Sequence, residues 1–177
     1  MILLPLLPIS FALPRVPRAQ DLAPQVLESI NLLNTAVTEL TTAVNNFDGS
    51  LFGVLPQSLA VIGAETKLDA TILKGTAITS QSANFTAEES TQVVQTLATQ
   101  IGPIQTSLDA LKAKYPVFKK TLESPIVLLD LKVLKKHTDS FISAVTAKVT
   151  PDQAGLLGLG ASILDQAFDD AISVYQG

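Results

Sequence analysis

The apolar residues of this chain recur at alternating intervals of three and four residues over most of its length. In the first segment, Val26, Ile30, Leu33, Val37 and Leu40 follow this spacing. Because an α-helix has about 3.6 residues per turn, the spacing places these side chains on one helix face. No stretch of the sequence shows the sustained alternation that is typical of a half-buried strand. The sequence therefore predicts an all-α protein in which each helix buries one apolar stripe.

Turn and capping residues divide this pattern into separate helical segments. The first segment ends at the turn residues 45–49, and the second covers about residues 54–79. A capping box of Thr86 and Glu89 opens the third, since each side chain can bond the other residue's backbone N–H. Pro103 lies inside the apolar pattern of this third segment, so we expect a kink there.

Two further segments complete the predicted architecture. The fourth spans about residues 116–148 and contains Pro125, which predicts either one kinked helix or a short helix followed by a long one. The fifth runs from Thr150 to Tyr175, with Pro151 at its first helical position, where a missing N–H costs nothing. Helices of ~20–25 residues with short connections predict a five-helix antiparallel bundle, with proline kinks in the third and fourth helices.

The N-terminus and one sequon favour a secreted protein. Residues 2–12 are apolar and end in small residues suited to signal-peptide cleavage, and an alternative cleavage site follows Ala19. No Lys or Arg precedes this run and prolines interrupt it, which leaves an ordered apolar arm as the alternative. Asn84 begins an Asn-Phe-Thr glycosylation acceptor in a predicted loop. We predict that residues 1–19 are a signal peptide or leader and that residues 20–177 form one domain.

The composition limits which partners the bundle can have. Hydrophobic residues make up 47% of the chain, charged residues 16%, and the mean hydropathy is +0.37. The formal net charge of −4 argues against nucleic acid, because binding phosphates requires clustered Lys and Arg. The basic residues Lys132, Lys135 and Lys136 are interpreted as a solvated helix face. No run reaches the ~20 apolar residues of a membrane span, so the apolar area must be buried or used for binding.

Residues that carry catalysis or hold metals are scarce. The chain has no cysteine and a single histidine, His137, on a predicted helix without a nucleophile motif beside it. Asp169 and Asp170 are adjacent and so point to different helix faces, and no ligand spacing suits a metal. Gly155, Gly158 and Gly160 follow no strand, which argues against a phosphate loop and for close helix approach. We therefore expect a protein that is not an enzyme and has no metal or cofactor.

The apolar stripes supply candidate residues for a ligand cavity between the helices. Few aromatic side chains are present, which leaves room for a flexible aliphatic chain. Thr66 and Ser140 are the candidate polar contacts, although a helix hydroxyl more often bonds its own backbone carbonyl. The apolar candidates, on stripes near mid-bundle, are Val37, Leu40, Val44, Leu59, Ile62, Val94, Leu97, Ile101, Phe141, Leu164, Phe168 and Ile172.

Over nearly all of residues 20–177 the order of these elements matches a known family. The resemblance rests on the Asn-Phe-Asp-Gly end of the first helix at 46–49 and the Thr-Ala-Glu-Glu start of the third at 86–89. It continues with Lys-Ala-Lys-Tyr-Pro-Val-Phe at 112–118 and with the closing helix of residues 163–175. The chain resembles the fungal hydrophobic surface-binding protein A and cell-wall galactomannoprotein family.

This resemblance implies a secreted five-helix bundle without catalytic activity. Some relatives adsorb to hydrophobic solids and recruit a polyester-degrading hydrolase, while others are cell-wall mannoproteins, some of which bind long-chain fatty acids in an apolar tunnel. The wall-anchored members carry a Ser/Thr-rich stalk and an apolar tail that we do not find here, so we expect a freely secreted monomer. Its expected partner is a fatty acid or another apolar small molecule. A hydrophobic surface, a secreted hydrolase, and a wall or effector role are the alternatives.

Overall fold

A computed structural model describes residues 20–177, so the predicted leader of residues 1–19 lies outside the described residues. The described part contains six α-helices and no strand beyond an isolated bridge between Gln20 and Ser82. The all-α prediction is confirmed. The helices are α1 (Ala23–Asn46), α2 (Val54–Gln81), α3 (Ala87–Ala98), α4 (Ile101–Lys120), α5 (Ser124–Thr146) and α6 (Pro151–Gln176).

The six helices form five antiparallel legs. α3 and α4 make one leg, because they are separated only by Thr99 and Gln100, whose backbone angles remain close to helical. At one end of the bundle, the Phe85 N–H donates to the Lys148 carbonyl oxygen over 2.8 Å. At the other end, the Lys114 ammonium donates to the Phe47 carbonyl oxygen, also over 2.8 Å. The predicted five-helix bundle is therefore present as five legs.

The prolines lie mainly at helix starts. Pro103 is in the first turn of α4, just after the break at Thr99 and Gln100, and Pro125 is in the first turn of α5. Neither position requires the N–H that proline lacks. Pro116 lies inside α4, so the predicted start of a helix near residue 116 is wrong. The bend angles that we expected at the third and fourth helices stay predictions.

The capping box predicted at the third segment is present. The Glu89 N–H donates to Thr86 Oγ1 over 3.2 Å, and the Thr86 N–H donates to Glu89 Oε2 over 2.7 Å. These two bonds satisfy N–H groups that a helix start otherwise leaves free. The same short loop leaves Asn84 exposed and turns Phe85 into the core.

α2 turns a different face inward from the one that its apolar spacing predicts. Leu59 and Ile62 were expected on a buried stripe, yet both are exposed, as are Leu55 and Leu73 on the same helix. α2 carries apolar residues around most of its circumference, so spacing alone does not select the buried face. On the buried face, Gly75 allows a close approach, since a Cβ there would lie 3.2 Å from Phe141 Cε2 and 3.5 Å from Ser29 Cβ. The buried positions of α2 are Val61, Leu68, Ile72, Gly75 and Thr79.

An aromatic cluster closes the end of the bundle where α4 finishes. The rings of Phe47 and Phe118 stack with centroids 4.4 Å apart. Tyr115 and Tyr175 meet edge to face at 5.0 Å. This cluster joins the ends of α1, α4 and α6. The cavities described below lie mainly towards the opposite end of the bundle.

Candidate functional site

A partly open space lies between α3, α4, α5 and α6, with Leu33 of α1 also on its wall. This space, here called the chamber, has a volume of about 410 Å³. Small-molecule sites in proteins occupy about 300–1,000 Å³, so the chamber is large enough for a ligand. Its walls are almost entirely apolar. They include Val94, Leu97, Ile101, Ile104, Phe141, Ile142, Leu157 and Leu164.

Three smaller cavities continue from the chamber along the bundle. The first, of about 40 Å³, shares Leu33, Ile104, Thr138 and Phe141 with the chamber. The second and third have volumes of about 20 and 30 Å³, and each shares wall residues with the one before it. These three spaces, here called the axial cavities, lead towards the seam between α2 and α5.

The chamber opens to solvent between α3 and α6. Leu156, Leu159 and Ile163 of α6 line the chamber and are also exposed, with Leu159 at 67%. Gln95 of α3 and Gln153 of α6 are the amide side chains at this opening. Exposed leucines at a cavity entrance are unusual for a protein surface unless they meet an apolar partner.

Glycine at position 160 allows α6 to pass close to α4. A Cβ atom at Gly160 would lie 3.2 Å from Ile101 Cδ1, and both residues line the chamber. Gly155 and Gly158 have open space where a Cβ would stand. The sequence prediction of close helix approach therefore fits Gly160 and fails for the other two.

Two polar side chains on α4 and its N-cap are buried against these cavities. Gln100 lines the chamber and Ser107 lines the first axial cavity, and each is only 4% exposed. Among the described residues, Gln100 Oε1 and Ser107 Oγ have no hydrogen-bond partner. Neither residue was predicted from the sequence. In the sequence, Gln100 and Ser107 are seven residues apart, with Ile104 between them. This interval places two polar side chains on the apolar face of a helix, which is the pattern that could have identified them.

Most of the predicted cavity-lining residues do line one of these spaces. Val94, Leu97, Ile101, Phe141 and Leu164 line the chamber. Val37, Leu40, Ile62 and Phe168 line the axial cavities, and Phe141 also belongs to the first of these. The stripes identified in the sequence thus contain nine residues that line the described cavities.

Five candidates lie elsewhere. Leu59 is 61% exposed and Thr66 is exposed, because α2 is rotated from its predicted orientation. Ser140 is also exposed, and its hydroxyl donates to the Lys136 carbonyl oxygen of its own helix over 2.9 Å. Val44 is fully buried and Ile172 is half-buried, and both pack in the core away from the cavities. Thr66 and Ser140 therefore do not line the chamber or the axial cavities.

A cluster of titratable residues joins α2 to α5 beside the axial cavities. His137 is half-buried, and its Nδ1 lies 2.5 Å from Asp69 Oδ1 in a contact between α5 and α2. Burial, with the nearby charges of Asp130 and Asp69, raises the pKa of Glu65 from 4.5 to about 7. Burial and the charge of Asp69 also raise the pKa of Asp130. Both carboxyl groups line the second axial cavity.

The basic residue Lys135 joins α5 to α6 on another side of the bundle. Its ammonium pairs with Asp165 and lies 3.8 Å from carboxylate oxygens of Asp139 and Asp169. Lys132 and Lys136 are exposed as the sequence interpretation expects, whereas Lys135 is half-buried in these ion pairs. Within the described residues, no group of three His, Cys, Asp or Glu side chains is arranged to hold a metal ion.

The fold and the chamber together define a helical-bundle protein with an internal apolar site suited to a small apolar molecule. The chain belongs to the hydrophobic surface binding protein A family, whose model matches residues 23–147, from α1 to the end of α5. α6 lies beyond the matched segment but forms one wall of the chamber. A comparison with curated proteins found no match. None of the described helices combines the length and apolar character needed to cross a membrane.

Solved structures with the same fold have been determined with fatty acids. The chain is similar to Afmp4p, crystallised in complex with palmitic acid, at 31% identity and a TM-score of 0.82, over 86% of this chain and 99% of that one. Ligand-binding domain 1 of the Penicillium marneffei MP1 protein, complexed with arachidonic acids, matches at 16% identity and a TM-score of 0.77, over 89% and 99% of the two chains. Domain 2 of that protein, complexed with multiple arachidonic acids, matches at 14% and 0.78, over 88% and 95%.

Proposed function

We propose that this protein is a secreted, non-enzymatic carrier that holds a long-chain fatty acid or a similar lipid in the chamber. The observation that carries the proposal is an apolar space of about 410 Å³ with an opening rimmed by exposed leucines. The Afmp4p structure with palmitic acid supports it, since that chain is covered almost completely at 31% identity. The more distant MP1 domains support the fold of the carrier.

An acyl chain gains enough free energy in such a space to bind well. Each buried methylene contributes about 0.8 kcal/mol, so a long chain has ample driving force even after its ordering cost. The chamber holds the first part of the chain, and the axial cavities extend the path past Phe141 and Thr138. The carboxylate stays at the opening between α3 and α6, where the amides of Gln95 and Gln153 can donate to it and water can solvate it.

Filling the chamber with a side chain tests this proposal. Gly160→Leu places a branched side chain beside Ile101 inside the chamber, and we expect it to weaken fatty-acid binding by roughly tenfold or more. Gly158→Leu is the matched control, because it lies two residues away with open space around its Cβ position. Displacement of a fluorescent fatty acid measures both variants, and circular dichroism checks that both are folded.

Protein purified without delipidation provides an independent measurement. Native mass spectrometry should show a bound species with the mass of an acyl lipid, which is released by organic extraction. Protein that is consistently ligand-free and takes up no fluorescent fatty acid would refute the proposal. Equal losses of binding in the two glycine variants would place the ligand outside the chamber.

Adsorption to hydrophobic solids is a second candidate, favoured by one end of the bundle. Leu51 and Phe52, in the turn before α2, are 89% and 94% exposed, and Leu122 in the turn before α5 is 82% exposed. We expect polyester particles to deplete the wild type from solution. Serine at these three positions should reduce the depletion, while serine at Leu32, a half-exposed position on α1, should not. If the two variants adsorb equally, this end of the bundle is not the adsorbing surface.

Secretion and glycosylation belong to the same proposal. Residues 1–19 carry the apolar run expected of a leader, and Asn84 is exposed in the loop between α2 and α3. Sequencing the N-terminus of the mature protein from its own host tests the leader. A mass decrease after treatment with an N-glycosidase tests Asn84. Association with the cell wall and recruitment of a secreted hydrolase would be examined in the same host.

A further inference from the structure

Two neighbouring helices carry exposed apolar side chains on the outside of the bundle. On α2 these are Leu55, Leu59 and Ile62, and on α5 they are Ile126 and Leu129. Their exposed fractions range from 44% at Ile62 to 72% at Leu55. The intervals of three and four residues place each set on one face of its helix. These five residues are here called the seam face.

The two sets form one surface because α2 and α5 lie side by side. The Ser58 hydroxyl donates to Glu123 Oε1 between the two helices. Further along both helices, Asp69 contacts His137, so α2 and α5 run in the same direction. The two isoleucines of the seam face line the third axial cavity together. The exposed leucines therefore flank a seam that has these isoleucines at its centre.

The seam face lacks the charged side chains that normally cover an exposed helix. Residues 54–64 of α2 and residues 124–129 of α5 include no Asp, Glu, Lys or Arg. Glu123, at the edge, accepts hydrogen bonds from the hydroxyls of Ser58 and Thr121. Depletion of charge is the compositional feature that distinguishes the centre of a protein interface from the remaining surface.

The size of the seam face matches one side of a homodimer interface. Its five residues expose about 500 Å² of apolar surface, which is near the upper end for a monomer. A standard interface buries about 800 Å² on each partner, and about 65% of this area is apolar in homodimers. The seam face therefore supplies the apolar area that a stable dimer requires.

We propose that the seam face binds a second copy of this chain in a two-fold dimer. A two-fold axis perpendicular to the seam brings the same surface of both copies together, so that each apolar stripe meets another. The α2 and α5 helices of one protomer then lie antiparallel to those of its partner. The dimer also covers the third axial cavity where it reaches the surface between the two isoleucines. This state differs from the monomer expected from the sequence.

Sedimentation velocity of the full chain from its own host tests the dimer. At about 50 μM protein we expect a species with twice the mass of one chain. Leu59→Lys and Leu129→Lys each place a charge within the seam face and should raise the dimer Kd by about 100-fold or more. Leu159→Lys, on α6, is the matched control, because Leu159 is 67% exposed, and it should leave the dimer intact. Circular dichroism checks that the three variants are folded.

Cross-linking provides a second measurement that keeps the seam face apolar. The chain has no cysteine, so a single introduced thiol is the only reactive one. Ile62→Cys and Ile163→Cys form a matched pair, because the two isoleucines are 44% and 45% exposed. A short bismaleimide should join two copies through position 62, which lies near the two-fold axis, and should not join them through position 163.

A wild type that remains monomeric at this concentration would overturn the proposal. Binding of the wild type, but not of Leu59→Lys, to phosphatidylcholine vesicles would then assign the seam face to a lipid surface. A dimer that Leu159→Lys dissociates and Leu59→Lys leaves intact would also overturn it, because the interface would then lie on α6.

Discussion

Tyr175, in the last turn of α6, donates its hydroxyl to the carbonyl oxygen of Leu111 in α4 over 2.6 Å. This bond joins the helix beyond the family's matched segment to the centre of the bundle. Burial raises the pKa of Tyr175 well above its ordinary value, so the hydroxyl remains a donor at neutral pH. The same helix forms one wall of the chamber nearer its N-terminal end, so this bond anchors the helix that carries that wall.

Tyr175→Phe removes this bond and keeps the ring packed against Tyr115 and Phe118. We expect the free energy of unfolding to fall by about 1 kcal/mol, measured by urea denaturation. Tyr115→Phe is the control, because it removes a hydroxyl from the half-buried neighbouring ring, and its effect should be smaller. An equal loss in both variants would show that the bond to Leu111 has no special role.

Two glycines of α2 should respond in opposite ways to alanine. Gly63 has open space at its Cβ position, so Gly63→Ala should raise the free energy of unfolding by about 1 kcal/mol through helix propensity. At Gly75 a Cβ would lie 3.2 Å from Phe141 Cε2, so the ring must move. We expect Gly75→Ala to be less stable than Gly63→Ala by about 1 kcal/mol or more.

Phe141 lies beside Gly75 and also lines the chamber. The fatty-acid affinity of the two glycine variants therefore provides a second measurement. Gly75→Ala should alter fatty-acid affinity because Phe141 lines both the chamber and the first axial cavity. Gly63→Ala should leave the affinity unchanged. If Gly75→Ala raised the free energy of unfolding as much as Gly63→Ala does, the Phe141 ring would have moved aside without an energetic cost.

Stability should fall with rising pH through the range in which Glu65 ionises. Its pKa is raised from 4.5 to about 7 in the folded protein, so between these values the folded state holds a proton that the unfolded state releases. The contribution is present below pH 4.5 and is lost as the pH rises through 7. Asp130 changes stability in the same direction, while Asp69 and His137 face the same seam.

Glu65→Gln isolates this effect. The variant should gain stability relative to the wild type as the pH rises, with a constant difference once Glu65 is ionised in both states. Thermal denaturation at a series of pH values measures it. Glu28→Gln, on the exposed face of α1, is the surface control. A stability difference that does not change with pH would contradict the assignment to Glu65.

Leu122 has a backbone φ of 65° in the turn between α4 and α5, a conformation that favours glycine. Leu122→Gly should raise the free energy of unfolding by about 0.5–1 kcal/mol, since relief of strain exceeds the entropy cost of glycine. Gly49→Ala should do the reverse, because its φ is 67° and a Cβ would lie 2.6 Å from Val117 Cγ1. A less stable Leu122→Gly would mean that the exposed leucine packs in a way that compensates for its strain.

Part of the site followed from the sequence because the chamber is built from ordinary helix stripes. Val94, Leu97, Ile101 and Leu164 lie on faces that the three-four spacing identifies, and these faces must meet in a bundle. The buried face of α2 was predicted wrongly because several of its faces are apolar, and the spacing of apolar residues does not distinguish between equivalent stripes. Gln100 and Ser107 were missed because a polar residue within a stripe is also compatible with a helix boundary or a solvated position.

By itself, the sequence determined the helical class, the capping box at Thr86 and the apolar interior, because these depend on local spacing and on hydrogen bonds between near neighbours. Only the tertiary structure decided which face of α2 is buried, that α6 passes α4 at Gly160, and that the packing leaves a space of about 410 Å³. The physical reason is that a cavity arises from imperfect packing between distant segments. The residue types determine how much apolar surface must be buried. The angles and distances between the helices determine how completely the space between them is filled.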